Sequence, residues 1–152
     1  MAPYSHILEI SNLLKNLHTV ISVTFLVIAF WLLVRSVQGF WKNHAFKNLD
    51  NLLSYGFIIL LYLQLIFGLI LFASPNPADN YSNIDGALKM VSRRFWPVEH
   101  IVFMLFALFI ANIGLIFSNQ AKESREKYRK ILVYYSIAIV MIAISLTMVR
   151  LL

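Results

Sequence analysis

Four long apolar segments constrain this chain more than any other feature of its sequence. They lie at about 17–40, 51–74, 97–118 and 131–151, and each is almost free of charged residues. About 20 apolar residues are enough to cross a hydrocarbon core of about 30 Å, so each segment is long enough to span a membrane. The sequence therefore predicts an all-α integral membrane protein, with residues 1–152 forming a single four-helix bundle domain.

The composition agrees with this prediction. Hydrophobic residues make up 60% of the chain and charged residues only 13%, whereas a soluble domain carries roughly a quarter charged residues. The net charge of +6 would also suit a nucleic-acid-binding protein, but the basic residues flank the apolar segments, where membrane proteins concentrate them. We therefore expect lipid and no nucleic acid as a partner. Because the chain has no cysteine, thiolate-held iron–sulfur clusters and covalently attached c-type haem are excluded.

Two regions outside the apolar segments have structure-forming patterns of their own. Residues 4–17 repeat apolar side chains at helical spacing, which indicates either an interfacial amphipathic helix or an outward extension of the first span. Residues 75–96 form the longer loop, whose second half can lie along the membrane surface as an amphipathic segment. Pro97 suits the first turn of the third span, where a missing N–H costs nothing.

The distribution of basic residues predicts the orientation of the chain. The side of linkers 41–50 and 119–130 carries eight: Arg35, Lys42, Lys47, Lys122, Arg125, Lys127, Arg129 and Lys130. The other side carries five: Lys15, Lys89, Arg93, Arg94 and Arg150. Because cytoplasmic loops are enriched in Lys and Arg, we expect both linkers in the cytoplasm, with both termini and the longer loop outside.

Two histidines are the candidate functional residues. On this topology His18 opens the first span and His100 opens the third, so their depths match to within about one helical turn of 5.4 Å. A single histidine near the end of a membrane helix is more often a hydrogen-bonded interface residue than a ligand. Two imidazoles that face each other inside a helical bundle are also what a b-type haem needs as axial ligands. Matched depth makes the second interpretation a serious alternative, and both stay open.

The helical faces of the two histidines carry small residues, which mark close helix–helix contact in membranes. Stepping by helical periods gives Ser22, Ala29 and Ser36 from His18, and Ala107, Ala111, Gly114 and Ser118 from His100. The second span adds Gln64 and Gly68, and the fourth adds Ser136, Ala143 and Thr147. Both histidines are therefore predicted to point into the bundle, where Gly68 would allow close approach of a flat macrocycle. Arg93 and Arg94 could hold haem propionates, because arginine pairs with carboxylates through a planar fork.

Three stretches carry a resemblance to a known family. LHTVISV (17–23), YLQLIFGLILF (62–72) and RFWPVEHIVFML (94–105), in that order, resemble small four-span bacterial membrane proteins commonly labelled cytochrome b-like. The resemblance covers about two thirds of the chain, and the third stretch is its most specific part. It implies a four-helix fold in the bacterial inner membrane and a role for haem b, with His18 and His100 matching the family's histidines.

The chain departs from the family's pattern at Tyr62, where a histidine is expected, at Ser22, where an arginine is usual, and at Ile101, where a proline often stands.

The leading hypothesis is a b-type redox carrier, rather than a stand-alone enzyme, that passes electrons between a quinone pool and other membrane redox subunits. The loss of a histidine at Tyr62 favours a second hypothesis, a haem-free accessory subunit of a larger membrane complex. A third, a small transporter or channel, would have to use Tyr62, Gln64 and Asn112 as the deep polar residues of a path.

Overall fold

The computed structural model describes the backbone of residues 2–73 and 84–151, and the side chains of residues 9–73 and 98–147. Within these ranges the chain forms four helices: α1 (Ala2–Lys42), α2 (Asn48–Ala73), α3 (Ile84–Gln120) and α4 (Ser124–Leu151). Each contains a stretch that is long and apolar enough to cross a membrane. The prediction of an all-α four-helix bundle is therefore confirmed.

The helices pack as a ring in chain order. Helix α1 contacts α2 and α4, and α3 contacts the same two helices, so α1 and α3 lie diagonally across the bundle. The linkers α1–α2 and α3–α4 meet at one end, where the backbone N–H of Phe46 donates to Ser124 Oγ at 3.0 Å and the Tyr128 hydroxyl oxygen lies 3.3 Å from the Ala45 carbonyl oxygen. Helices α1 and α3 consequently run in the same direction, as the orientation argument requires. We call this end of the bundle the linker end.

The core is built from one stripe of each helix. Its centre is Phe57, which is fully buried and whose ring centroid lies 4.8 Å from that of Phe25 and 4.5 Å from that of Tyr135. Large apolar side chains cover the outside, such as Phe30 with 72% and Trp41 with 76% of its surface exposed. An apolar exterior around a packed interior is compatible with lipid contact and is typical of a membrane protein.

Two helices are longer at their N-terminal ends than the predicted spans. Helix α1 is continuous from Ala2, so the N-terminal segment is an extension of the first span. Helix α3 begins at Ile84, so the second half of the predicted loop 75–96 is helical and Pro97 lies inside the helix, not in its first turn. The amphipathic pattern of 84–96 is typical of a helix. A proline inside a helix removes one hydrogen bond and crowds the carbonyl four residues earlier, at a cost of about 3 kcal/mol, and α3 continues across Pro97 despite this cost. The first half of that loop lies outside the described residues.

The α1–α2 linker is held by local hydrogen bonds. Asn43 has a φ of 51°, and the N–H of His44 donates to the Gly39 carbonyl at 3.2 Å, which is the usual way to end a helix with a left-handed residue. Helix α2 then begins at Asn48, so Asp50 belongs to its first turn and not to the linker in which the sequence placed it. The Asp50 carboxylate accepts the Lys47 N–H at 2.9 Å, which is one of the two hydrogen bonds of a capping box and holds the start of α2.

Candidate functional site

The backbone around His18 is fixed by a polar contact between α1 and α2. Ser22 Oγ donates to the His18 carbonyl at 2.8 Å, and the Gln64 side-chain amide donates to Ser22 Oγ at 2.6 Å and to the His18 carbonyl at 3.3 Å. Gln64 is only 5% exposed. Because hydrogen bonds in a low-dielectric interior are strong, this contact holds the turn of α1 that carries His18 against α2.

The imidazole of His18 lies beside Gly68. A Cβ atom built on Gly68 would lie 3.6 Å from His18 Cε1, so an alanine would just touch the ring and any larger side chain would compete with it for space. Nδ1 of His18 is buried and has no hydrogen-bond partner among the described residues. A buried polar atom without a partner costs about 1–3 kcal/mol, so this ring has unused bonding capacity inside the bundle.

The imidazole of His100 is held by α4. Its Nδ1 lies 3.0 Å from Ser145 Oγ, and Ser145 Oγ donates its own hydrogen to the Ile142 carbonyl at 2.8 Å. This contact orients the imidazole of His100 toward α4. A histidine that ligates a metal usually has this arrangement, in which a second hydrogen-bonding group fixes tautomer and ring orientation.

The two imidazoles lie at the same end of the bundle. His18 is next to Gly68, near the C-terminal end of α2, and His100 is next to Ser145, near the C-terminal end of α4. The two residues come from diagonal helices, and both lie at the end of the bundle opposite the linker end, as the order of the spans predicted.

The predicted small-residue faces of α1 and α3 are also confirmed. Ala29 and Ser36 are buried below His18, and the small residues below His100 are buried as well: Ala107, Ala111, Gly114 and Ser118. Gly114 allows this packing, because a Cβ there would collide with Cβ of Tyr134 on α4. The faces of both histidines therefore point into the bundle interior.

The predicted face of α4 is wrong. Ala143 and Thr147 are exposed and Ser136 is half-buried, whereas Ser145 is 1% exposed and contacts His100. The buried stripe of this helix consists of residues three and four positions apart: Ile131, Tyr135, Ala138, Ile142 and Ser145. That spacing of three and four residues was visible in the sequence and would have identified Ser145.

Tyr62 does not belong to the interior site, since its side chain is 44% exposed on the outer surface of the bundle. A histidine at this position would therefore not point at His18 and His100, and its absence removes no ligand from between them.

The three polar residues proposed for a transport path have separate surroundings. Asn112 donates to the Leu108 carbonyl of its own helix at 2.8 Å, and Gln64 donates to groups on α1. These three polar residues do not line a common path, so the argument for a transporter loses its support.

A second polar cluster, which the sequence did not predict as a unit, lies at the linker end. Asp50 is fully buried and accepts from Arg35 Nε at 2.6 Å and from the Tyr128 hydroxyl at 2.8 Å. Arg35 was counted among the basic residues on the linker side, and its side chain contacts Asp50 because a buried carboxylate requires a cation or donors around it. The cluster joins α1, α2 and α4. We refer to these three residues as the Asp50 cluster.

Two residues of the predicted site cannot be assessed in the structure. The side chains of Arg93 and Arg94 lie outside the described residues, so their pairing with haem propionates stays a prediction.

Comparisons with family models, curated proteins and solved structures found no match. The resemblance to cytochrome b-like proteins therefore also stays a prediction.

The donor chemistry of two described residues is the kind that haem iron takes. A porphyrin supplies four nitrogen ligands to its iron, so a protein can complete the coordination with two imidazoles. His18 and His100 supply two imidazoles at the same end of the bundle, with Gly68 beside the first and Ser145 in hydrogen-bonding contact with the second. Among the described residues, no group of three or more His, Cys, Asp or Glu side chains is placed to hold a bare metal ion.

Proposed function

We propose that this protein is a membrane-bound b-type cytochrome that carries electrons, with one haem b between His18 and His100 near the outer face. The observation that carries the proposal is the His100–Ser145 hydrogen bond. It orients the imidazole of His100 at the same end of the bundle as the imidazole of His18, which lies beside Gly68. Bound haem would supply reversible one-electron chemistry at its iron.

The chain would contribute ligands, their positioning and a dry environment. His18 and His100 would be the axial ligands, Ser145 would orient His100, and Gln64 would hold the backbone of His18 in place. One turn further into the bundle, buried apolar side chains close the interior: Leu61, Met104 and Ile142. Exclusion of water on that side would keep the local dielectric low, and burial is one of the levers by which a protein sets a haem potential.

The natural partners of such a carrier are a quinone pool and other membrane redox subunits, and the natural location is the bacterial inner membrane. A carrier needs no substrate chemistry of its own, so we propose a redox carrier or complex subunit in preference to a stand-alone enzyme.

The test is a haem titration of the purified protein, followed by an absorption spectrum of the reduced minus the oxidised form. We expect one haem per chain and the sharp bands of haem held by two histidines. A protein that takes up no haem under these conditions would be better described as a haem-free accessory subunit of a membrane complex.

The proposed orientation has a separate test. With both termini outside, a periplasm-dependent reporter enzyme fused to the C-terminus should be active, and a reporter that works only in the cytoplasm should be silent at the same position. The same pair of reporters fused after Lys122, in the α3–α4 linker, should give the reverse result. A cytoplasmic signal at the C-terminus would contradict the proposed orientation and place the histidine pair on the inner side.

A further inference from the structure

A charged cleft lies at the linker end, between the last turn of α1 and the first turns of α4. Its volume is about 300 Å³, and it is lined by Phe40, Glu123, Arg125, Glu126 and Arg129. Because both linkers emerge at this end, the cleft lies where the apolar spans meet the aqueous phase. This is the level at which the headgroups of membrane lipids are found.

The charges of the cleft balance, although the surrounding linker is basic. Two basic side chains near the start of α4 contact aromatic rings outside the cleft. Lys127 Nζ lies 5.5 Å from the centroid of the Phe46 ring, and Lys130 Nζ lies 5.7 Å from the centroid of the Phe117 ring. The cleft itself therefore holds two arginines and two glutamates. A ligand that complements it should carry one negative and one positive group.

The arginines of the cleft are partly positioned already. The guanidinium carbon of Arg125 lies 4.9 Å from the centroid of the Phe40 ring, a cation–π contact, and Arg129 Nη2 lies 3.5 Å from Glu126 Oε1. Guanidinium groups bind phosphate oxygens through a planar fork. Carboxylates accept hydrogen bonds from a primary ammonium group, which a quaternary ammonium cannot donate.

An apolar track continues from the cleft toward the membrane centre. Arg129 shares one helical face with Val133, Ile137 and Val140, which are 49%, 43% and 55% exposed. Residues three and four apart on a helix are neighbours on its surface. A molecule with its polar group at Arg129 could thus lay a hydrocarbon chain along the same face, which favours a lipid over a free phosphate.

We propose that this cleft binds the headgroup of a zwitterionic phospholipid with a primary amine, of the phosphatidylethanolamine type. The phosphate would contact Arg125 and Arg129, the ammonium would contact Glu123 and Glu126, and an acyl chain would follow the track of Val133. The site is independent of the histidine pair.

The experiment is native mass spectrometry of the detergent-purified protein with added phosphatidylethanolamine, phosphatidylcholine or phosphatidylglycerol. Phosphatidylethanolamine should bind most tightly, and the double variant Arg125→Gln/Arg129→Gln should weaken it about tenfold or more, because charge-assisted hydrogen bonds are lost. Glu123→Gln/Glu126→Gln should bring phosphatidylethanolamine down to the level of phosphatidylcholine. The matched control is Lys122→Gln, which removes an exposed cation of the same linker outside the cleft and should leave binding unchanged.

Equal binding by the arginine variant and the native chain would overturn the proposal. Stronger binding of phosphatidylglycerol than of phosphatidylethanolamine would also overturn it, because it would indicate simple attraction of an anion. Competition by inorganic phosphate alone, with no contribution from acyl chains, would identify a free-phosphate site and reject the lipid. The readout does not depend on haem, so this proposal and the proposed function can fail separately.

Discussion

Replacing His100 with alanine should abolish the absorption bands of a bis-histidine haem in the reduced protein, and replacing His18 should do the same. Each substitution removes one of the two proposed axial ligands, so a bound haem would be held by a histidine on one side only. Loss of an outer hydrogen-bonding partner alone typically weakens metal binding by 10–100-fold, so loss of a ligand should weaken haem binding by about 100-fold or more. Haem titration of each variant measures this effect directly.

The matched control is His44→Ala. His44 is exposed in the α1–α2 linker, at the end of the bundle opposite His18 and His100. Its substitution should leave the absorption bands and the haem stoichiometry intact. If all three variants lost the bands, the effect would be general destabilisation, and if none lost them, the ligand assignment would be wrong.

Ser145→Ala supplies a graded test of the same site. The substitution keeps both imidazoles but removes the hydroxyl that makes a hydrogen bond with His100 Nδ1, so the orientation of the ring is no longer held. Haem should still bind, with affinity reduced by about 10–100-fold and with a changed reduction potential. Ser145→Thr, which retains the hydroxyl, should recover most of the affinity, a rescue that a purely steric role for this residue would not produce.

Replacing Asp50 with alanine should produce the largest loss of stability in the chain. The substitution leaves the charge of Arg35, whose side chain is 29% exposed, without its carboxylate partner. It also leaves the Lys47 N–H and the Tyr128 hydroxyl without their acceptor. Breaking a buried ion pair by removing one partner costs about 3–5 kcal/mol. Equilibrium unfolding in mixed micelles, followed by the helical circular dichroism signal, measures this change in the free energy of unfolding.

Two further variants separate the parts of the Asp50 cluster. Tyr128→Phe removes one hydrogen bond from the carboxylate and should cost about 1–2 kcal/mol. Glu126→Ala removes a carboxylate from an ion pair on the surface of the same helix, where such pairs contribute little, and should leave the unfolding midpoint unchanged. An Asp50→Ala protein as stable as the Glu126→Ala protein would show that the cluster does not hold the three helices together.

The sequence predicted the histidine layer well because its signals are local and periodic. The depth of His18 and His100 follows from helix order, and their faces follow from small residues at helical spacing. The partners of each imidazole were harder to predict. Gln64 and Gly68 were correctly assigned to the second span. Ser145 was missed because three other small residues of α4 were predicted to form its interior face, whereas the buried face follows the spacing of Ile131, Tyr135 and Ile142.

The Asp50 cluster shows why polar contacts between residues far apart in the sequence are hard to predict from one sequence. Asp50 looked like a linker residue and Arg35 like an interfacial one, and each assignment is sensible when the residue is considered alone. The side chain of Tyr128 reaches this carboxylate from α4, which lies across the bundle from α2. The start of α3 was misplaced for a related reason, since a proline that commonly opens a helix lies inside one here.

The central claim is that two imidazoles from diagonal helices ligate one iron. Electron paramagnetic resonance of the oxidised protein, loaded with one equivalent of haem, tests it most directly because the spin state of ferric haem reports its axial ligands. A low-spin signal from six-coordinate ferric haem is the predicted result. A high-spin signal, as expected for haem with a single histidine ligand, would contradict the claim.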